Sequence, residues 1–293
     1  MRIRDLFSES GPVFSFEFFP PKTDEGERKL LETVHRLKEL APGFVSVTKT
    51  GAKPPEKTIE ITARIKHEVG IEAMAHMTCA TAGRDEMDRI FGLIRDAGIE
   101  NVLALRGDPP RDQATFVRPP DGFRYACELV RFIRERGYPF CLGGAAYPET
   151  HPECESAEVD LANLKEKVEA GVEFIITQLF YENTRYFAFV TRARAAGITL
   201  PIVPGIMPIT NVGQIERIAA LSGAHIPAAL QRDLDAARDD DAAALRIGIA
   251  YATQQCRELL AAGVPGIHFY TLNQSPATWA ILRELRAEAP RAR

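Results

Sequence analysis

Apolar residues follow two alternating patterns along the chain: short continuous runs, and longer stretches in which they recur every three or four residues. The short runs have the length and bulk of buried strands, and the longer stretches have the period of amphipathic helices. The first run covers residues 13–19 and stops at Pro20 and Pro21, which lack the amide hydrogens that a strand ladder needs. Seven further runs predict strands at residues 44–47, 72–77, 101–105, 140–142, 174–177, 200–203 and 266–270.

A helical pattern follows each predicted strand. Several of these stretches end at a glycine, as at Gly70, Gly98 and Gly137, which is typical of helix C-termini. The predicted helices cover residues 25–40, 58–69, 84–97, 125–136, 160–170, 186–195, 212–221, 241–262 and 276–287. The segment 226–240 is expected to be an excursion outside the core, because its repeated Ala, Arg and Asp supply little apolar surface.

The alternation of eight strands with helices predicts an α/β protein, a single (β/α)8 TIM barrel. Nearly continuous apolar strands indicate a parallel sheet that is covered on its outer face. An open doubly wound sheet is the alternative, but such sheets usually carry a Gly-rich phosphate turn after the first strand. Here that strand ends in Phe-Phe-Pro-Pro, and Gly143-Gly144 does not extend to a Gly-x-Gly-x-x-Gly pattern.

The composition is that of an ordinary globular protein and gives no sign of a nucleic-acid or membrane partner. The 293 residues are 45% hydrophobic and 26% charged with a net charge of -4, and the Arg-rich tail at 291–293 is the longest basic run. Nucleic-acid binding is therefore not expected. No apolar stretch has the length of a signal peptide or a membrane span, so we expect a cytoplasmic protein with no membrane partner.

The cysteines and histidines predict neither disulfides nor a metal site. The five cysteines are odd in number and form no Cys-x-x-Cys pair, which indicates reduced thiols. Two spacings have the form of half a metal site, His76-Met-Thr-Cys79 and His151-Pro-Glu-Cys154. Each lacks the second pair of ligands that a zinc site needs, so no metal is predicted.

Polar residues stand where seven of the predicted strands end. In an eightfold barrel the carboxyl ends of all strands meet at one mouth, and that mouth carries the active site. Each residue alone has a structural explanation, such as a satisfied core histidine or an edge-strand glutamate that reaches water, but one shared site explains all of them. The residues are Glu17, Thr48, His76, Arg106 with Asp108, Tyr147, Gln178 and Tyr270.

Two features of this mouth suggest chemistry. Glu17 lies in an aromatic run, and we expect the phenylalanines to desolvate it and favour its protonated form, which suits a general acid near neutral pH. His151, Asp160 and Lys167 follow the fifth strand, and a histidine, a helix N-terminus and a lysine suit an anionic tail such as a pyrophosphate. A solvated helix face is the alternative for the second group, since residues 165–169 form a charge run.

The motifs at these strand ends resemble those of one enzyme family along nearly the whole chain. They are Ser15-Phe-Glu-Phe-Phe-Pro-Pro, Phe44-Val-Ser-Val-Thr48, His76-Met-Thr, Leu105-Arg-Gly-Asp108, Ala145-Ala-Tyr-Pro-Glu-Thr-His-Pro152, Ile176-Thr-Gln178, Pro204-Gly-Ile206 and His268-Phe-Tyr-Thr-Leu-Asn273. Together they resemble methylenetetrahydrofolate reductase of the bacterial single-domain type. The resemblance implies a flavin-dependent barrel that reduces 5,10-methylenetetrahydrofolate to 5-methyltetrahydrofolate with NADH or NADPH, in the one-carbon metabolism that feeds methionine synthesis. It further implies one catalytic domain over residues 1–293, no regulatory domain, and a homo-oligomer.

The resemblance also implies roles for individual residues. Glu17 would protonate the folate and open its five-membered ring to an iminium ion, and Asp108 would stabilise that cation beside the flavin. The positions that match FAD-binding residues are Thr48, His76, Arg106, Gly107, Asp108, Ala145, Tyr147, His151, Asp160, Asn163 and Lys167. The positions that match substrate-binding residues are Glu17, Gln178, Gln214 and Tyr270.

Five residues depart from the family's pattern and motivate two alternatives. Lys49 and Thr50 replace an aromatic residue and a glycine, and Glu166 replaces a base. The changes at Lys49 and Glu166 leave open a flavin-free reductase with direct hydride transfer from the nicotinamide. Ile218 replaces an aromatic residue and Gln274 a basic one, which leaves open a folate-binding barrel subunit without turnover.

Overall fold

Eight parallel strands close into a barrel in chain order. The computed structural model describes residues 1–9, 11–49, 54–80, 82–107, 118, 120–274 and 276–288. The last strand pairs with the first, from Val13 opposite Gly266 to Glu17 opposite Tyr270, so the predicted barrel is confirmed and the open sheet is excluded. The strands are β1 (Val13–Phe18), β2 (Phe44–Val47), β3 (Ala73–Thr78), β4 (Asn101–Leu105), β5 (Cys141–Ala146), β6 (Phe174–Leu179), β7 (Ile202–Ile206) and β8 (Gly266–Tyr270).

Helices surround the barrel close to the predicted positions. The helix predicted at residues 160–170 begins three residues earlier, at Ala157, because Ser156 caps it by accepting a hydrogen bond from the Val159 amide. The helices are α1 (Ile3–Leu6), α2 (Asp24–Lys38), α3 (Pro55–Arg64, continued by a π-helical turn, Ile65–Val69), α4 (Arg84–Asp96), α5 (Ala126–Glu135), α6 (Ala157–Glu169), α7 (Asn183–Ala195), α8 (Val212–Ser222), α9 (Ala228–Ala236), α10 (Asp241–Ala261) and α11 (Pro276–Glu288). Within the described part of the chain, no helix combines the length and apolarity needed to cross a bilayer.

The two faces of each strand carry different side chains. On β1, Phe14, Phe16 and Phe18 belong to the large apolar cluster between strands and helices, whereas Ser15 and Glu17 alternate with them and point into the barrel. The expectation that these phenylalanines desolvate Glu17 is therefore wrong. Neighbours in a strand lie on opposite faces, so the groups that surround Glu17 come from other strands.

The amino end of the barrel is filled and closed. Phe44, Met74 and Phe174 pack in its interior against Ile3 and Leu6 of α1. A hydrogen bond of 2.8 Å from the Ile3 amide to the Asn101 carboxamide holds α1 in place. Because this end is packed with apolar side chains, a ligand can reach the barrel interior only from the carboxyl end.

Helix α9 corrects the prediction for residues 226–240. Its Leu230 and Leu234 are buried in a second apolar cluster with Met207, Ile209 and Val212, beside the carboxyl ends of the last strands. The composition of the segment hid this role, because two leucines four residues apart are enough to give a short helix one buried face. The segment is therefore part of the core on this side of the mouth.

We expect Leu234→Ala to lower the free energy of unfolding by about 2 to 5 kcal/mol, because it opens a cavity at a fully buried position. Leu221→Ala on α8 is the matched control, since that side chain is 76% exposed and its loss should change stability by less than about 0.5 kcal/mol. Urea unfolding followed by circular dichroism measures both. Equal effects of the two substitutions would contradict the assignment of α9 to the core.

Candidate active site

Glu17 lies inside the barrel, near the carboxyl end of β1. It is opposite Ser46 of β2 and Tyr270 of β8 in the strand register, and its side chain is 12% exposed. A closed barrel has no sheet edge, so the reading of Glu17 as an edge-strand residue is excluded. A carboxyl group here is accessible only from the mouth.

Two imidazoles face the same oxygen of Glu17. His268 Nε2 lies 3.5 Å from Glu17 Oε2, and His76 Nε2 lies 3.6 Å from it. Both nitrogens are buried, and neither has a hydrogen-bond partner among the described residues. These separations are longer than a well-formed hydrogen bond, so small movements of the carboxyl group decide which imidazole it binds.

His268 is held from two sides. Its Nδ1 is 2.8 Å from Ser15 Oγ, and its ring stacks on Phe44 with centroids 5.9 Å apart. A serine hydroxyl can donate or accept, so this contact permits either tautomer of the imidazole. The ring is therefore fixed in place while its proton can reside on either nitrogen.

His76 is neutral at neutral pH. Burial, with a smaller contribution from the neighbouring His268, lowers its pKa to about 4 despite the nearby Glu17 carboxyl group. The resemblance assigns His76 to the flavin, and the structure places its Nε2 against Glu17. The side chain is therefore positioned to act on the carboxyl group, and its contact with a flavin stays a prediction.

Tyr270 crosses the mouth beside Glu17. Its hydroxyl donates a hydrogen bond of 2.6 Å to the Thr177 carbonyl, and burial together with Glu17 raises its pKa well above the usual value. A Cβ atom at Gly205 would lie 2.6 Å from the ring, so only glycine leaves room for the tyrosine there. Tyr270 therefore stays protonated and serves as a fixed wall of the site.

The loop after β8 fastens the end of β1. The Asn273 carboxamide donates to the Phe19 carbonyl at 2.9 Å and accepts from its amide at 2.8 Å, and Thr271 Oγ1 donates to the Glu17 carbonyl at 2.5 Å. Leu272 and Asn273 adopt left-handed backbone angles, with φ of 52° and 59°. The loop thus fixes the backbone of the residue that carries the carboxyl group.

The predicted site residues do not include His268, Thr271 or Asn273, although all three lie within a quoted motif. His268 is two residues before Tyr270 on the same strand, so alternation alone puts both on the inner face. That signal could have found His268. The role of Asn273 depends on the geometry of the loop, which no periodic pattern encodes.

Arg106 follows β4 and is paired with Glu153 of the loop between β5 and α6. Its two terminal nitrogens donate to the two carboxylate oxygens at 2.6 and 2.7 Å, and its Nε donates to the Gly107 carbonyl at 3.2 Å. The carboxylate of this pair is Glu153, a residue that the predicted site does not include.

The loop and the first turns of α6 bring the predicted anion-binding residues together. The His151 amide donates to Asp160 Oδ2 at 2.9 Å, and the Tyr147 and His151 rings meet edge to face at 4.6 Å. Asp160, Asn163 and Lys167 recur at helical spacing and share one face of α6. Lys167 Nζ donates to the Ala145 carbonyl at 2.6 Å, and burial lowers the pKa of this lysine.

Thr48 has a buried hydroxyl with no hydrogen-bond partner among the described residues. Its backbone is well held, since its amide donates to the Phe18 carbonyl at 2.8 Å and its carbonyl accepts from Thr58 at 3.0 Å. An unsatisfied buried hydroxyl is costly. Thr48 therefore offers a hydrogen bond to a ligand at the mouth.

The amide side chains lie on the other half of the mouth. Gln178 on β6 accepts from the Leu179 amide at 2.9 Å. Gln214 lies in the first turn of α8, with its Oε1 at 3.4 Å from the Thr210 hydroxyl. Beside them, partly buried Ile218 and Leu272 pack on the second apolar cluster. This half combines neutral hydrogen-bonding groups with an apolar surface.

Some predicted residues cannot be placed in the same way. Asp108 and Thr50 lie outside the described residues. Glu166 faces α5, where its carboxylate is 3.9 Å from Arg131, and Lys49 is half-buried at the end of β2, where burial lowers its pKa. Over the described ranges, no group of three or more His, Cys, Asp or Glu side chains could hold a metal ion.

A parallel eightfold barrel with a recessed carboxyl group and polar side chains at its carboxyl mouth belongs to the class of barrel proteins that carry an enzyme site there. The chain belongs to the methylenetetrahydrofolate reductase family, because the sequence model of that family matches residues 2–286. Similar proteins include methylenetetrahydrofolate reductase (NADH) 1 of Arabidopsis thaliana, which is 41% identical over 97% of this chain and 50% of its own length. The 5,10-methylenetetrahydrofolate reductase of Pectobacterium carotovorum is 39% identical over 92% of this chain and 89% of its own length.

Two further facts qualify these similarities. The chain spans about half the length of the plant relatives it matches. Among solved structures, an uncharacterized protein from Clostridium thermocellum that binds two copies of 5-methyl-5,6,7,8-tetrahydrofolic acid has a TM-score of 0.67 with 15% identity, covering 98% of this chain and 99% of its own. At that identity the likeness supports the fold.

His76 should make the folded protein sensitive to acid. In the unfolded chain this histidine has a pKa near 6.5, whereas in the folded protein its pKa is about 4. The folded state therefore loses stability as the pH falls through 6.5, by up to the order of 3 kcal/mol near pH 4.

Urea unfolding at pH 7.5 and pH 4.5 should show that His76→Gln removes part of this loss. His35→Gln, at an exposed position on α2, is the control and should keep the pH dependence of the unsubstituted protein. The same pH dependence in all three proteins would contradict the neutral, buried state of His76.

Proposed function

We propose that the protein is a flavin-dependent methylenetetrahydrofolate reductase, which uses NADH to reduce the 5,10-methylene group of tetrahydrofolate to a 5-methyl group. The observation that carries this proposal is the position of Glu17. Its carboxyl group lies between two buried imidazoles and can be reached only from the mouth. A sheltered acid of this kind suits the protonation of a folate nitrogen, the step with which the resemblance begins the reaction.

The two halves of the mouth differ in chemistry, and the difference supports two neighbouring ligands. Strand order puts Thr48, Arg106 and the α6 face on one side of the barrel axis, and Gln178 with Gln214 on the other. The first half is rich in charged groups, and the second is neutral and partly apolar. We infer that the first half binds the phosphates and ribityl chain of FAD and that the second half binds the folate.

The residues on the first half fit a dinucleotide. Thr48 offers a hydroxyl that has no hydrogen-bond partner among the described residues, Arg106 offers a guanidinium, and Lys167 offers a partly buried ammonium group. At Gly107, φ is 85° and a Cβ atom would lie 2.9 Å from Thr78, so the backbone beside Arg106 requires glycine. FAD would be held by Thr48, Arg106 and the α6 face, and when bound it would supply the hydride for the reduction.

In the proposed reaction Glu17 transfers its proton to the folate nitrogen whose bond to the methylene carbon breaks. The ring opens to an iminium ion, and Glu17 is left as a carboxylate. His268 can assist both forms of the acid: with its proton on Nε2 it donates to the carboxylate, and with its proton on Nδ1 it accepts from the protonated acid. Ser15 allows that exchange, because its hydroxyl can reverse its own role. Neutral His76 is a second donor of the same kind.

Other features keep their status as predictions. The naming of several relatives as NADH enzymes supports NADH as the reductant. A role for Asp108 beside the flavin and a homo-oligomer follow from the resemblance, and a cytoplasmic location follows from the composition of the chain. We carry them as part of the proposal.

The purified protein, reconstituted with FAD, should be yellow and should bleach with NADH under anaerobic conditions. Addition of methylenetetrahydrofolate to the reduced protein should then restore the yellow colour as the substrate is reduced. A colourless protein that still forms methyltetrahydrofolate would favour direct hydride transfer from the nicotinamide. Folate binding without formation of methyltetrahydrofolate would favour a non-catalytic barrel subunit and would contradict the proposal.

Glu17→Gln should lower the rate of folate reduction by about 10² to 10⁴, the usual contribution of a positioned acid. Bleaching of the flavin by NADH should stay within about twofold, because that half-reaction needs no proton from Glu17. Stopped-flow absorbance measures the two half-reactions separately. Equal loss of both would contradict the acid role and would point to a damaged cofactor site.

A further inference from the structure

Arg106 and Glu153 form an ion pair at the mouth whose two members are held very differently. Arg106 extends from the end of β4, its side chain is 19% exposed, and its Nε is bonded to the Gly107 carbonyl. Glu153 lies on the loop between β5 and α6, and its side chain is 55% exposed. If the pair opens, the glutamate can turn into water while the guanidinium stays at the mouth.

The glutamate satisfies the arginine in the way that a phosphate would. Both terminal nitrogens of Arg106 donate to both oxygens of Glu153, at 2.6 and 2.7 Å, which is the planar two-point contact that guanidinium groups make with carboxylates and phosphates. The contact also lowers the pKa of Glu153, chiefly through the hydrogen bonds from Arg106. At neutral pH the loop therefore presents an anion to the arginine.

We propose that Glu153 is a specificity residue that competes with the diphosphate of an incoming nucleotide for Arg106. The inference rests on the proposed function only in naming FAD as the natural ligand. An anion that binds Arg106 must displace the Glu153 carboxylate or share the guanidinium with it. A flavin without phosphates gains nothing from Arg106 and meets no such competition. Only a ligand with enough negative charge to bind Arg106 in place of Glu153 therefore gains affinity from this arginine.

The neighbouring contacts favour displacement of the glutamate side chain over movement of the whole loop. The Glu153 amide donates to His151 Nδ1 at 3.1 Å, and the His151 amide in turn donates to Asp160 on α6. These bonds hold the loop backbone against the helix. Rotation of the Glu153 side chain would therefore release Arg106 without disturbing His151.

Binding of ADP tests the competition with a diphosphate that carries no flavin. Isothermal titration at pH 7.5 and low ionic strength compares the unsubstituted protein with Glu153→Gln, which keeps the shape of the side chain and removes its charge. Glu155→Gln is the matched control, because Glu155 is exposed on the same loop and its substitution removes the same charge without touching the pair. Riboflavin serves as the ligand without phosphate.

We expect Glu153→Gln to bind ADP about two- to fivefold more tightly than the unsubstituted protein, a range in keeping with the strength of exposed ion pairs. Glu155→Gln should change ADP binding by less than twofold, and riboflavin binding should be equal in all three proteins. The gain should shrink in 0.5 M salt, because screening weakens the competition.

Equal or weaker ADP binding by Glu153→Gln would overturn the proposal and would make Glu153 a support that orients Arg106. Failure of all three proteins to bind ADP would overturn it as well, since Arg106 would then not be an anion site. Failure of the proposed function gives a different pattern. In that case ADP binding follows the expected order, but the protein with FAD shows no bleaching by NADH and no folate reduction.

Discussion

The alternation of side chains along β1 is the constraint on which the site depends. Phe16 and Phe18 take the outer face and join the packing between strands and helices, and this leaves Glu17 on the inner face. The tight outer packing prevents a shift of the strand by one residue, because such a shift would put the phenylalanines inside and the carboxyl group among the helices. The apolar residues that flank the acid in the sequence therefore determine the direction in which its side chain points.

Much of the architecture could be predicted, because it rests on patterns that recur along the chain. Strand-and-helix alternation predicted the eightfold barrel, and the rule that strands end at one mouth brought Glu17, His76, Arg106 and Tyr270 to it. The same reasoning failed where a helix has too few apolar residues to give a recognisable periodic pattern. The two buried leucines of α9 are hidden in a polar segment. Pairs formed between loops at the mouth, such as Arg106 after β4 with Glu153 after β5, also leave no trace in any local pattern.

The immediate surroundings of Glu17 illustrate why the rest could not be predicted. His268 and His76 come from strands far from β1 in the chain, and only closure of the barrel brings both to one oxygen. Their effect depends on burial and on orientation to within an ångström. The lowered pKa of His76, for example, follows from its burial rather than from any residue beside it in the sequence.

The fastening of β1 by the loop after β8 has a consequence for the order of assembly. Thr271 and Asn273 bind the backbone at Glu17 and Phe19 across separations of 254 residues in the chain. Contacts of such separation are slow to form, because the entropy of closing the intervening chain is lost before the contact stabilises the fold. The acid therefore acquires its final position only when the last strand joins the first. A chain still leaving the ribosome has its first strand long before it has a place for that strand's carboxyl group, so completion of the barrel and completion of the site are one event.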